Sequence, residues 1–405
     1  PLSRKARSCC SQAGDAIDGV VPRHVVRPDS PDELSRVLSG ASRDRHSTVL
    51  RGGGTKLGWG RSPASVDLVI ETAGLDRLVA HRHGDMTATA QAGMPLMLLN
   101  RRLAEQGQYL PVDSAFLGTT IGGMIATNDS GPLRHRFGTP RDLLIGITLA
   151  MADGRLVKAG GTVVKNVAGY DLGKLVSGSF GTLAAIVDAT FKLLPLPRAS
   201  RTLVAAYMDG SALARDVTAL NASQVELTSF DVQVSDPARF QLLLRMQSSG
   251  EATEAMAAEA SRLLSSPASI LTGDDERAFW AEQVRAPWSE GGTTVRVSWL
   301  PADLSVVLGS LEGLRRHGCR PAMFTGRTIG AGLLRLEGDD RACAAAIADL
   351  RSKRELGHVV VLRASRRLKE QTDVWGDGSD RTGPARAVKR MFDPQGILNA
   401  GRGPI

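Results

Sequence analysis

Apolar and polar positions along this chain follow two different periods, and the switches between them divide it. Val20–Arg27 reads as an extended segment. Ser30-Pro-Asp-Glu-Leu34 opens a helix, with Ser30 as N-cap, Pro31 at the first helical position and Glu33 closing a capping box. Leu34, Val37 and Leu38 supply that helix with its buried stripe. Thr48-Val-Leu50 and Val66–Ile70 are short strands, so the start of the chain is a β-α-β unit. Met86–Ala92 alternates with the strand period. Pro95 then opens a helix whose Leu96, Leu99 and Leu103 share one face, and Gly107 ends it. From Pro111 to Gly138 the period disappears into an irregular, glycine-dense stretch, a length that in a compact domain points to function. Strand signals return at Leu144–Met151, turn at Asp153-Gly154 into Leu156-Val157, and resume over Thr182–Leu194.

Pro195-Leu-Pro197 marks a boundary. From 199 to 363 strands alternate with Ala-rich helices, including Ala252–Leu264, Asp303–His317 and Asp340–Leu350, and glycine clusters thin out. The expected organisation is α+β: a flexible tail over 1–20, a first domain over 21–198, a second over 199–363, and a closing segment over 364–405. That last segment holds a cationic helix and the ending Phe392–Arg402.

Composition changes this picture little. At 405 residues, 42% hydrophobic and 23% charged, the chain is an ordinary globular protein with room for two domains. No apolar run is long enough to span a bilayer and no apolar signal core opens the chain, so a cytoplasmic location without direct membrane insertion is expected. Cys9, Cys10, Cys319 and Cys343 lack Cys-x-x-Cys spacing, which excludes the usual zinc and iron–sulfur motifs. The net charge of +8 raises nucleic acid as a partner, but only 4% of residues are aromatic and no basic helix alternates with stacking residues. An anionic cofactor, a small anionic substrate or an acidic partner accounts for the charge as well.

The candidate chemistry starts at Arg51-Gly-Gly-Gly-Thr-Lys56, directly after a strand. Consecutive glycines let backbone N–H groups turn inward as an anion-binding nest, and Arg51 and Lys56 add positive charge, a combination suited to a diphosphate. A tight surface turn is the alternative for a lone triple glycine. The spacing is neither that of a Rossmann loop nor that of a P-loop. A second stretch, Asp113–Gly131, combines small residues with hydroxyls and one amide, so backbone can approach a flat ligand while Thr119, Thr120, Thr127 and Asn128 offer hydrogen bonds. Lys165-Asn-Val-Ala-Gly-Tyr-Asp171 with Ser177-Gly-Ser-Phe-Gly-Thr-Leu183 is a third, and the ending is a fourth.

Together, in this order, these stretches resemble the FAD-linked oxidases of the vanillyl-alcohol-oxidase type, with their PCMH-type FAD-binding domain. Within them they are most similar to the FAD-binding subunits of bacterial glycolate oxidases. The resemblance is strong from 21 to 197, faint beyond, and returns over the last forty or so residues. It implies a two-subdomain FAD-binding domain, a second domain that caps the isoalloxazine, and a closing segment that folds back. Gly52, Gly53, Gly54 and Thr55 would hold the pyrophosphate, flanked by Arg51 and Lys56. Gly118, Thr119, Thr120, Gly122, Gly123, Thr127 and Asn128 would line the ribityl and isoalloxazine path. Gly178, Gly181 and Ile186 would edge the adenine half, and Asn399 would fold onto this domain. Ile186 as plain strand core and Asn399 as a turn cap stay open. The implied function is an FAD-dependent oxidoreductase acting as a redox subunit for a 2-hydroxy acid, beside a second flavoprotein subunit and an iron–sulfur subunit. A self-sufficient oxidase of a sugar or alditol and a scaffold without chemistry are the rivals.

Two departures from the family pattern matter. Thr55 stands where tethering members carry histidine, so non-covalent FAD is implied. Trp375-Gly-Asp-Gly-Ser-Asp380 keeps the Gly-Asp-Gly of the family's metal-dependent members without neighbouring histidines, so no metal is expected. Ser177–Gly181 has the look of a nucleophile elbow but carries Ser177 where glycine is needed. Tyr170 and Lys174 are candidates for the flavin site, with packing and an ion pair as the alternative.

Overall fold

A computed structural model describes residues 7–10, 13–162, 169–236, 239–376 and 382–404. Asn166 and its neighbours 163–168, and most of the Gly-Asp-Gly run, lie outside the described residues. The chain divides into two compact units: 1–130, 138–196 and 377–405 form one, and 131–137 with 197–376 form the other.

The first unit is built on two sheets. In the smaller, His24–Arg27 and Thr48–Arg51 both pair parallel with Leu68–Glu71 at the centre, and Arg7–Cys10 pairs antiparallel with His24–Arg27. That last strand lies in the stretch read as a loose tail. The helix Pro31–Arg43 makes the crossover between parallel strands, as such pairs require. Its N-cap is the one expected, with Ser30 accepting from the backbone N–H of Glu33, but the Glu33 carboxylate accepts from the N–H of Asp29 at 2.9 Å rather than from that of Ser30, so the capping box closes one residue early. Leu34, Val37 and Leu38 are buried beneath Val26, Leu68 and Ile70.

The larger sheet is antiparallel, in the order Leu78–Arg82, Thr87–Gln91, Ala185–Lys192, Leu144–Ala150, Leu156–Gly160. Against it pack the helix Leu96–Ala104, through Leu96, Leu99 and Leu103, and the short helix Ile121–Thr127, through Ile121, Met124 and Ile125. The second helix corrects the expectation of an irregular run from Pro111 to Gly138. Thr120 caps it, accepting from the Gly123 N–H, and Asn128 ends it at φ 48°. It is short and carries two glycines, so its propensity is poor and tertiary packing holds it.

The closing segment returns to this unit. Leu398 bridges Thr48 in parallel, with Thr48 N–H donating to Ile397 at 2.8 Å and Asn399 N–H donating to Thr48 at 2.8 Å. Lys389 fixes its root, donating to the carbonyls of Thr182 at 2.6 Å and Leu398 at 3.0 Å and pairing with buried Asp393.

The second unit is one eight-stranded antiparallel sheet, from Ala268–Leu271 at one edge to Leu356–Arg363 at the other. Helices Gly210–Ala222, Gly250–Leu263, Leu304–Glu312 and Asp340–Ser352 bury one face of it around Phe230, Phe324 and Leu334. The helix Gly273–Arg285 packs on the opposite face, where Trp280 donates to the buried Thr202 hydroxyl at 2.8 Å.

Candidate functional site

A groove crosses the first unit where the strand Thr48–Arg51 ends. One wall is the glycine loop from Gly52 to Leu57. The opposite wall is the helix Ile121–Thr127 with its N-cap, presenting Thr120, Gly123, Ala126 and Thr127, and Phe180, Asn399 and Arg402 complete the lining. A second depression, lined by Gly122, Gly181, Ala184 and Ile186, shares Leu50, Gly52, Gly123, Ala126, Phe180 and Asn399 with the first. The two are therefore one elongated groove, more polar at the loop end than toward Ile186.

Two glycines are needed here because of how closely backbone passes backbone. A Cβ on Gly53 would stand 1.7 Å from the carbonyl oxygen of Gly118, and one on Gly52 would stand 2.2 Å from the Thr120 hydroxyl. Any side chain at either place would push the loop off the 118–123 segment. These glycines set the shape of the groove by touching its other wall.

Of the residues singled out from the sequence, Gly52, Gly53, Gly54, Thr55, Lys56, Thr120, Gly122, Gly123, Thr127, Gly181, Ile186 and Asn399 line the groove. Gly118 supports it from behind Gly53, and Thr119 accepts from Lys56 Nζ at 3.0 Å. Asn128 and Gly178 stand one step away: the Asn128 side-chain oxygen Oδ1 accepts from the Arg141 N–H at 3.3 Å, and Gly178 N–H donates to the Ile125 carbonyl at 3.0 Å. Ile186 also belongs to the buried core, so the strand-core alternative holds alongside its place in the groove.

The two cations expected to face a diphosphate are engaged elsewhere. Arg51 Nη2 donates to Asp15 at 2.7 Å and to Glu71 at 2.8 Å, so two carboxylates balance its charge, and it does not line the groove. Lys56 is buried, pairs with Asp129 at 3.2 Å and lies 5.1 Å from the Phe116 ring centroid. Burial pushes its pKa down and Asp129 partly restores it. Ser114 joins the cluster through Thr119 at 2.7 Å. This pin ties the glycine loop to the 113–131 stretch, and Asp129 is its other half.

Sequence reasoning missed Phe180, Ala126 and Arg402. Arg402 is buried and donates to the carbonyls of Leu57 and Trp59 through Nη2, while its own carbonyl accepts from Arg61 N–H at 3.1 Å. Asn399 is also buried. Its amide N–H donates to the Phe180 carbonyl at 2.5 Å, and its Oδ1 has no partner among the described residues.

Tyr170 is 91% exposed and Lys174 pairs with Asp171 at 3.1 Å, so the ion-pair alternative describes Lys174. Ser177 donates to the Gly173 carbonyl at 2.8 Å within its own helical turn. His81 meets Gln108 at 2.9 Å. Among the described residues no three His, Cys, Asp or Glu side chains converge as a metal site, and no helix is long and apolar enough to cross a membrane.

A loop of bare backbone at one end, a small-residue apolar channel at the other, and a buried amide oxygen without a partner suit a long ligand that is anionic at one end and flat at the other. Residues 22–160 match a family described as an FAD binding domain. This stretch of the chain is an FAD-binding domain.

The domain is similar to glycolate oxidase subunit GlcD of Bacillus subtilis, 35% identical over 206 residues, covering 51% of this chain and 44% of that one. It is similar too to glycolate oxidase subunit GlcE of Escherichia coli, 33% identical over 177 residues, covering 43% of this chain and 50% of that one. Each of these matches spans about half the relative's length or less. An uncharacterized FAD-linked oxidoreductase of Mycobacterium tuberculosis is 26% identical over 427 residues, covering 94% of this chain and 90% of that one. Among solved structures, an alkyldihydroxyacetonephosphate synthase superimposes with a TM-score of 0.69 at 16% identity, covering 94% of this chain and 76% of that one, which establishes a shared fold.

Proposed function

We propose that the chain is an FAD-dependent oxidoreductase of the 2-hydroxy-acid type and works as the FAD-binding redox subunit of a glycolate-oxidase-like complex, beside a second flavoprotein and an iron–sulfur subunit. The groove carries this reading, because its glycine loop suits a pyrophosphate and its small-residue walls suit close approach of flat rings. Gly52, Gly53, Gly54 and Thr55 hold the pyrophosphate with backbone N–H groups. Thr120, Gly122, Gly123 and Thr127 line the path of the ribityl chain and the isoalloxazine. Gly181 and Ile186 edge the adenine half, and Asn399 offers its free Oδ1 to a donor on the cofactor. FAD supplies the redox chemistry when bound, and the chain positions it and shields it from water. The glycolate oxidase subunits among the relatives support a 2-hydroxy acid and a multi-subunit setting. Thr55 offers only a hydroxyl, so FAD is held without a covalent bond.

Purified chain is expected to show flavin absorbance and to release all of its flavin on acid or heat denaturation. Under anaerobic titration with glycolate or D-lactate, the flavin of the isolated chain is expected to stay oxidised, and to become reduced once the partner subunits are added. Rapid bleaching of the isolated chain would sink the subunit reading in favour of a self-sufficient oxidase. The likeness over 94% of this chain to a relative named only as an FAD-linked oxidoreductase, without a subunit designation, leaves room for that second reading.

A further inference from the structure

The groove's polar end has backbone donors but has lost both cations expected there, Arg51 to Asp15 and Glu71, and Lys56 to Asp129. A dinucleotide carries two negative charges at its diphosphate. Backbone N–H groups alone would have to balance them.

Arg402 stands at this end. It lines the groove beside Gly52, Gly54 and Leu57, and it is 95% buried, at 5% relative exposure. Its guanidinium is divided in use. Nη2 donates to the carbonyls of Leu57 and Trp59, and Nε to that of Arg61 at 3.5 Å. Nη1 makes no hydrogen bond among the described residues. No carboxylate forms an ion pair with Arg402 there either; Asp18 acts on it only through its field. A guanidinium stays protonated in proteins, so this is a fixed positive charge held by neutral carbonyls, with two N–H donors unused. Such a group is costly to bury unless an anion joins it.

We propose that Arg402 supplies the positive charge for the diphosphate of the bound dinucleotide, with Nη1 facing the phosphate oxygens while Nη2 and Nε hold the loop in place. Planar guanidinium geometry suits both tasks at once, since its donors point along separate fixed directions. The closing segment is then part of the cofactor site, and the turn at Arg402 carries the counter-charge. The inference rests on FAD binding in the groove.

The test titrates full-length apoprotein with FAD and with riboflavin, which lacks both phosphates, following quenching of flavin fluorescence. Arg402→Gln is expected to weaken FAD about 30-fold, the worth of one charge-assisted contact, and to leave riboflavin within about twofold. Arg402→Lys is expected to recover part of the FAD affinity. If FAD and riboflavin weaken equally, Arg402 only holds the loop and the proposal fails. It fails equally if FAD binds the Gln variant as it binds the parent. Should the Gln variant not fold, Asp18→Asn provides the second reading: it removes the carboxylate field on Arg402 and is expected to tighten FAD about threefold without moving riboflavin. Unchanged FAD affinity in Asp18→Asn then overturns the proposal. Failure of wild-type chain to bind FAD would instead remove the reading on which all of this rests.

Discussion

The two units of this protein are specified in opposite ways. In the second, side chains decide. Leu203, Ala205 and Tyr207 alternate inward along one strand, and their cross-strand partners Leu244, Leu242 and Phe240 do the same in register. Phe230, Val232 and Val234 continue the pattern on the next strand, and a continuous apolar core results. In the groove of the first unit, the absence of side chains decides. Gly52 and Gly53 matter for what they let touch them, and polar groups outnumber any periodic apolar pattern. A region specified by packing tolerates small changes of volume. A region specified by close backbone approach tolerates none at the points of contact.

The sharpest way to break this comparison is to add one methyl group in each place. Gly53→Ala puts a Cβ 1.7 Å from the Gly118 oxygen. The sequence alone suggests that a substitution such as Gly53→Asp leaves a folded, colourless protein, with the new side chain in the cofactor's place. The geometry changes that expectation. The Cβ strikes the protein's own backbone, so the loop must part from 118–120 and both flavin and stability go together. We expect a colourless variant with unfolding free energy lowered by more than about 3 kcal/mol. A Gly53→Ala protein as yellow and as stable as the parent, by absorbance and urea titration, would show that the loop can move freely.

Next in size is Lys56→Met. It removes one half of a buried ion pair and leaves the Asp129 carboxylate without its cation. A cost of about 3 kcal/mol is expected at neutral pH, since an uncompensated buried charge is strongly destabilising. The cost belongs to the stranded charge and not to the loss of the pair as a whole. Lys56→Met with Asp129→Leu should recover most of the loss, and a double variant no better than the single would show that the pair is not the cause. Because burial lowers the pKa of Lys56, the unfolded chain binds more protons as pH approaches the ordinary lysine range. Parent stability should therefore gain from this group as pH rises through that window.

Much of this was legible beforehand and some was not. The capped helix from Pro31, the strand before the glycine loop and the hairpin near Asp153-Gly154 follow local rules, so the sequence shows them. The helix Ile121–Thr127 hides because Gly122 and Gly123 lower its propensity. Gly122 is there so that the helix can lie against Ala92, where a Cβ would come within 2.8 Å. The partner of Lys56 is invisible for a different reason. Asp129 lies far along the chain, and a lysine beside three glycines reads as a phosphate cation unless the fold supplies a carboxylate. Arg402 was missed because a terminal arginine carries no local signal. That residues 131–137 join the second unit is likewise a tertiary fact, fixed by contacts such as Arg327 Nε donating to the Gly131 carbonyl at 3.1 Å.

A smaller effect is expected from Asn399→Ala. The amide carries two jobs, a hydrogen bond to Phe180 and a free acceptor in the groove. Losing the acceptor should weaken FAD about tenfold, equivalent to about 1.4 kcal/mol. If Asn399 only caps its turn, as its φ of 42° allows, stability falls while FAD affinity per folded molecule stays put. Measuring both on the same preparation separates the two.

The smallest change completes the pair of methyl additions. Gly309 lies in the helix Leu304–Glu312 of the second unit, exposed, with nothing within 4 Å of where its Cβ would stand. Its φ is an ordinary helical one, since it is absent from the glycines at positive φ. Glycine inside a helix gives up more backbone entropy on folding than alanine does and contributes no contact in return. Gly309→Ala should therefore raise stability by about 0.5–1 kcal/mol, acting through the unfolded state rather than through any new packing. Flavin content and affinity should not move, because nothing in the groove is touched. The same methyl group thus stabilises one unit and disables the other. If Gly309→Ala proved destabilising in urea titration, the helix must bear a contact that its surroundings do not show, and the contrast between the units would narrow to the loop alone.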